Sequence, residues 1–175
     1  MRVLAIIGWS GSGKTTLLTA LLPILAARGL RLSTIKHAHE GFELDREGKD
    51  SWRHRQAGAR EVLVASRQRW ALMHEMAERE EPDLPSLLAR LAPVDLVLVE
   101  GFKSGPCPKL EVHRPALGQP PLWPSQPDIL AVASDAALPD CPYPVLALGA
   151  PEAVADWVLA VVMAGAGWSA ASTMA

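Results

Sequence analysis

Val3-Leu4-Ala5-Ile6-Ile7-Gly8-Trp9-Ser10-Gly11-Ser12-Gly13-Lys14-Thr15-Thr16 is the stretch that decides the fold. Its first five residues are a continuous apolar run cut off by a glycine, the pattern of a buried strand. From Gly8 onward it matches G-x-x-x-x-G-K-[ST] in full. Beyond it, residues 15–28 place Leu17, Leu18, Leu21, Leu22 and Leu25 on one broad face, and Gly29 supplies the stop. That spacing predicts a helix. Pro23 falls inside this helix, where it removes one backbone hydrogen bond. Strand, glycine-rich loop and helix in this order form a phosphate loop. The glycines let successive N–H groups turn inward as an anion nest, and the helix N-terminus adds its positive end. Lys14 then reaches the β- and γ-phosphates, the Thr15 hydroxyl ligates Mg²⁺, and Thr16 touches the α-phosphate. The candidate nucleotide-binding residues are therefore Gly8, Trp9, Ser10, Gly11, Ser12, Gly13, Lys14, Thr15 and Thr16. Trp9 lies against the nucleotide or against a neighbouring loop.

Outward from this loop, short apolar runs alternate with helical stretches. Strands are expected at residues 30–35, 94–99, 129–133 and 144–148. Residues 109–113 alternate in the manner of a half-exposed strand, and residues 61–65 and 70–73 read as a hairpin across 66–69. Short helices are expected at 51–57 and 84–91, the latter with Asp83 as N-cap, and a final helix starts at Pro151. Five prolines between 115 and 127 mark a surface excursion. This alternation implies an α/β fold with a largely parallel sheet. Residues 1–163 are expected to form one nucleotide-binding domain, with 164–175 as a flexible tail.

Composition removes several classes. With 49% hydrophobic and 21% charged residues, the chain of 175 residues is not intrinsically disordered. A formal net charge of −2 argues against a general nucleic-acid binder. Cys107 and Cys141 are too few for a disulfide framework and too far apart for a metal knuckle. The N-terminus lacks a secretory leader pattern, and the apolar stretch 153–166 is short for a bilayer. These features predict a cytoplasmic protein with no membrane partner.

Several side chains are candidates for chemistry. Glu100 closes the run Leu96-Val97-Leu98-Val99, where a phosphate-loop site places an acid toward Mg²⁺. An acid after four buried residues is costly unless it faces a cation or solvent. Asp95, at the other end of that strand, reads as structural. Asp45 and Asp50 flank a charged loop; each is a second metal-sphere ligand, a water-positioning group or a solvated charge. Lys14, Asp50 and Glu100 are the catalytic candidates, and Thr15, Asp45 and Glu100 the metal candidates. Lys36 and His37 are candidates for anion contact, and His37 with His39 is a weak metal pair. Arg46, Lys49, Arg53, His54, Arg55 and Arg60 form a basic run, either a solvated face or a second anion site. Asp135 follows a late strand, where its carboxylate can accept from N1 and N2 of guanine or cap a turn; there is no N-K-x-D motif.

Taken together, the phosphate loop, Ile35-Lys-His-Ala-His39, Asp45 with Gly48-Lys-Asp-Ser51, Arg53, Ala57-Gly-Ala59, Leu98-Val-Glu-Gly-Phe-Lys103 and Pro108-Lys-Leu-Glu-Val-His-Arg114 occur in an order that resembles the MobB family. The likeness runs from the first strand to about Leu148. These are GTP-binding adapters of molybdopterin-guanine dinucleotide biosynthesis. The resemblance implies a three-layer phosphate-loop NTPase fold with a mostly parallel sheet and a β-rich extension, Mg²⁺-GTP binding with weak hydrolysis, and a homodimer. It implies the molybdenum cofactor guanylyltransferase as partner, with molybdopterin or its carrier proteins as further ones. It places Gly11 through Thr16 on phosphates, Glu100 on the metal and 45–51 near the γ-phosphate. It puts 108–114 in a sheet extension that serves the dimer. Where the family pattern often has a further histidine, this chain has Glu40, and the tail beyond Met163 has no counterpart. Two other readings stand beside it. One is a small-molecule kinase, with Asp50 as base and Arg53 and Arg55 in a lid. The other is a GTPase metallochaperone built on Cys107, Cys141, His37 and His39.

Overall fold

The computed structural model describes residues 1–38, 42–76 and 81–166. The chain divides into two compact units, Met1–His37 with Asp83–Ala175, and Ala38–Pro82.

The first unit is built on six strands: β1 (Arg2–Ile7), β2 (Leu32–Lys36), β5 (Leu96–Glu100), β6 (Lys109–His113), β7 (Ile129–Ser134) and β8 (Val145–Ala147). They lie in the order β2-β5-β1-β6-β7-β8, and every pairing is parallel. A parallel sheet needs both faces covered, and β1 shows how the sequence achieves this. Leu4 and Ile6 point into one core with Leu17, Leu18, Leu21 and Leu25 of helix α1 (Lys14–Ala27) and Val154 and Ala155 of helix α4 (Pro151–Trp157). Val3, Ala5 and Ile7 point into the other core with Leu84 and Leu88 of helix α3 (Leu84–Leu88), Phe102 and Leu122. Strand alternation thus divides one apolar run between two layers. Asp83 caps α3, accepting from Ser86 N–H at 2.8 Å. Helix α4 continues as wider π-helical turns over Val158–Ala166. Among the described residues no helix is long and apolar enough to cross a membrane.

The second unit holds α2 (Asp50–Gln56) and the antiparallel hairpin of β3 (Glu61–Ala65) and β4 (Trp70–His74). Arg55 organises it. Its guanidinium donates to both Asp45 oxygens at 2.8 and 3.2 Å, to Glu43 at 2.7 Å and to Glu75 at 2.9 Å. The hydrogen bonds from Arg55 hold the Asp45 carboxyl below its usual range.

One expectation is corrected. The 109–113 strand is neither half-exposed nor part of an extension: β6 lies inside the main sheet between β1 and β7, with all five residues buried. Its alternating polar residues each find a partner. Lys109 Nζ donates to Gly105 O (2.8 Å) and Cys107 O (3.3 Å) and meets Asp128 Oδ2 at 3.0 Å. Glu111 accepts from Leu122 N–H (2.8 Å) and Trp123 N–H (3.0 Å). The His113 ring meets Trp123 edge-on at 5.4 Å. These contacts also tether the proline-rich segment, which contains only a single 3-10 turn at Pro115–Leu117. The separate β structure is the 61–74 hairpin.

Candidate nucleotide site

The phosphate loop joins β1 to α1 at the C-terminal edge of the sheet, where ligands of parallel α/β folds sit. Gly8 makes the exit turn at φ +149, and a Cβ there would lie 2.4 Å from Val112 O and 2.7 Å from Ser12 Oγ. Only glycine fits. Helix α1 starts at Lys14 with no side-chain cap and no acid in its first turn, so its leading amides and positive dipole end remain open to an anion. Ser12 is buried, and its Oγ has no hydrogen-bond partner. Lys14 Nζ donates to loop carbonyls, Gly8 O at 3.1 Å and Trp9 O at 2.8 Å. Burial lowers the Lys14 pKa from the usual lysine range; Glu100 opposes this, while Lys103 and Lys36 add to it. A polyphosphate supplies the negative charge that such a cluster of cations lacks.

Glu100 ends β5, opposite Ile6 of β1 and Lys36 of β2. Its Oε1 accepts from Thr15 Oγ1 at 2.7 Å and lies 3.6 Å from Lys36 Nζ. A hydroxyl that donates to a carboxylate keeps its lone pairs for a cation. A hard oxygen pair of this kind suits Mg²⁺, which is commonly held by one or two protein oxygens plus phosphates and water. The chain then turns sharply. Gly101 has φ +95, and a Cβ there would meet His37 Cβ at 2.9 Å; Phe102 follows at φ +53. Left-handed backbone at a bulky residue is uncommon and costs free energy. Here it packs Phe102 on the His37 ring, with centroids 4.5 Å apart.

The loop's remaining contacts were not legible in the motif. Trp9 faces a neighbouring loop: its Nε1 donates to Pro120 O at 2.7 Å, and Lys103 Nζ lies 4.3 Å from its ring centroid. Asp135 follows β7, with its Oδ2 3.3 Å from Arg114 Nε. Arg114 follows β6 and also lies beside Gly13. Sequence reasoning gave Arg114 and Lys103 no role in the site. The signal available was position, since each follows a strand that flanks β1.

Ser10, Gly11, Ser12, Gly13 and Thr16 share the loop and first helical turn with Lys14 and Thr15. Asp45 and Asp50 belong to the 38–82 unit, Asp45 against Arg55 and Asp50 as the first residue of α2. His39 and Glu40 lie outside the described residues, as does 167–175 of the expected tail. Cys107 is buried, and burial pushes its thiol up to about 11. That is far from the thiolate a soft metal requires.

Comparison with known proteins bears on this site directly. The family model described as "Molybdopterin guanine dinucleotide synthesis protein B" (MobB) matches residues 3–135. A molybdopterin-guanine dinucleotide biosynthesis adapter protein of Escherichia coli (strain K12) is 44% identical over 160 residues, covering 90% of this chain and 91% of that protein. The adapter protein of the same description from Haemophilus influenzae is 48% identical over 118 residues, covering 67% and 66%. Among solved structures, one of molybdopterin-guanine biosynthesis protein B superposes with a TM-score of 0.71 at 30% identity, over 90% of this chain and 98% of that one. A MobB homologue from Bacillus stearothermophilus gives a TM-score of 0.70 at 26% identity, over 94% and 99%.

Proposed function

The chain belongs to the MobB family, and on that premise we propose that it is a GTP-binding adapter in the attachment of GMP to molybdopterin, acting beside the molybdenum cofactor guanylyltransferase. The observation that carries the reading is the 2.7 Å hydrogen bond from Thr15 Oγ1 to Glu100 Oε1, which joins the phosphate loop to the strand-end acid.

Within this reading we assign the following roles. The amides from Gly11 to Thr16 hold the phosphates, and Lys14 leaves its loop carbonyls to meet the β- and γ-oxygens. Thr15 and Glu100 are the residues that would hold Mg²⁺, which neutralises charge on the β- and γ-phosphates when bound. Asp135 accepts from N1 and N2 of guanine. Hydrolysis is slow, because no glutamine or arginine finger is identifiable by spacing, and such groups contribute factors of about 10³–10⁵. A second copy of the chain completes the particle through the 61–74 hairpin, with molybdopterin or its carrier proteins as further partners.

Calorimetric titration with Mg²⁺-GTP and Mg²⁺-ATP, using Lys14→Ala as control, tests this. The expected result is GTP binding with little ATP binding, lost in the variant, and association with the transferase. Preference for ATP would overturn the guanine assignment and bring forward the small-molecule kinase.

A further inference from the structure

Arg114 stands one residue beyond β6, the strand that runs beside β1, so it emerges at the same sheet edge as the phosphate loop. Its guanidinium stands beside that loop. A Cβ built on Gly13 would meet Nη2 at 3.8 Å, with Cζ and Nε at 3.9 Å. On its other side, Nε is 3.3 Å from Oδ2 of Asp135, which follows the next strand, β7. Nε is buried without a well-aligned hydrogen bond, although the side chain as a whole is 41% exposed. The guanidinium therefore lies between the loop that takes phosphate and the carboxylate assigned to the base, and the side chain remains partly exposed.

We propose that Arg114 is a positioning residue for nucleotide selection, holding the Asp135 carboxylate in orientation while its remaining donors meet the phosphate chain beside Gly13. The proposal rests on the GTP reading above. A carboxylate that reads guanine must present both oxygens to two N–H groups, and it otherwise rotates about its Cβ–Cγ bond. A cation fixed beside Oδ2 limits that rotation. Arginine suits the task because its planar fork donates in two directions at once, whereas a lysine offers a point charge. The local charges agree: Lys14 and Lys36 lie near Glu100, Lys103 near Lys14 and Glu111, and Arg114 near Asp135, four cations against three acids, an excess that a polyphosphate offsets.

The experiment measures binding of GTP, ATP and inorganic tripolyphosphate to the wild-type protein, Arg114→Ala, Asp135→Ala and the double variant, with thermal melting alongside. Arg114→Ala is expected to weaken tripolyphosphate binding and to reduce the GTP-over-ATP preference, each on the order of tenfold, as for lost charged hydrogen bonds. In the Asp135→Ala background, Arg114→Ala should change the preference no further. A merely structural arginine would lower the melting temperature and weaken all three ligands equally; that pattern, or an unaltered base preference in Arg114→Ala, overturns the proposal. A wild-type protein without GTP preference overturns the guanine reading and the Asp135 half of this one. Unaltered tripolyphosphate binding in Arg114→Ala overturns the phosphate half, whichever base is preferred.

Discussion

At the scale of single residues, Asp95 shows how the far end of β5 is held so that Glu100 arrives in register. Its carboxylate accepts from Arg31 N at 2.8 Å, Nη2 at 2.8 Å and Nε at 3.1 Å, while Arg31 O accepts from Asp95 N and Leu96 N. The Arg31 hydrogen bonds bring the Asp95 pKa down to about 2 from an ordinary value of 3.8. A depressed carboxyl stabilises the fold above its unfolded pKa, and that contribution disappears as pH falls through the folded value. The gap in urea midpoint between wild type and Asp95→Asn should therefore be constant above about pH 5, shrink between pH 4 and 2, and close below that. A gap that stays constant down to pH 2 would show that the carboxylate's charge contributes nothing. Sequence reasoning placed Asp95 as structural from its position opposite Glu100. It did not identify Arg31 as partner, because that pairing joins residues 64 apart.

At the scale of elements, β6 is where pattern reading and packing part company. Alternation in Lys109-Leu110-Glu111-Val112-His113 predicts one wet face, yet the strand is buried on both. The reason lies in the segment that follows, whose backbone amides have no ladder partner and need an acceptor. Glu111 supplies it, and burial lifts its carboxyl above the usual range against the opposing pull of those two amides. Glu111→Ala leaves the amides of Leu122 and Trp123 orphaned, at about 1–3 kcal/mol each, so a loss of about 3 kcal/mol is expected in chemical denaturation. A loss below about 1 kcal/mol would mean that water or another acceptor reaches them. The buried elements that were legible share a property that β6 lacks: their burial follows from apolar residues alone. Strand β1 and helix α1 are of this kind, while the 61–74 hairpin was legible from two apolar runs flanking the polar turn at 66–69. In the site, the loop motif and Glu100 could be read because spacing encodes them. Arg114, Lys103 and the Trp9–Pro120 contact could not, because they depend on which strands lie next to β1.

At the scale of the whole molecule, the 61–74 hairpin raises the question of what completes it. The register pairs Leu63 with Leu72 and Ala65 with Trp70 on one face. Leu63 is 61% exposed, Trp70 67% and Leu72 41%. A two-stranded ribbon is marginal in water by itself, and adjoining exposed apolar side chains mark an interaction surface rather than a solvated one. The same surface meeting itself across a two-fold axis would cover it, since an isologous contact needs only one self-complementary patch. The homodimer proposed above is accordingly assigned to this face and not to β6, which is enclosed by its neighbours in the sheet. Leu72→Glu puts a charge into the middle of such a contact, opposite Leu63 of its own ribbon. Sedimentation equilibrium should show a dimer for the wild-type chain and a monomer for Leu72→Glu. Because the phosphate loop lies in the other unit, tripolyphosphate binding serves as a check that the variant is folded. A variant that stays dimeric would move the interface elsewhere. A wild-type chain that is monomeric at the concentrations used would leave the ribbon for the transferase to cover, and the same Leu72→Glu substitution would then abolish that association instead.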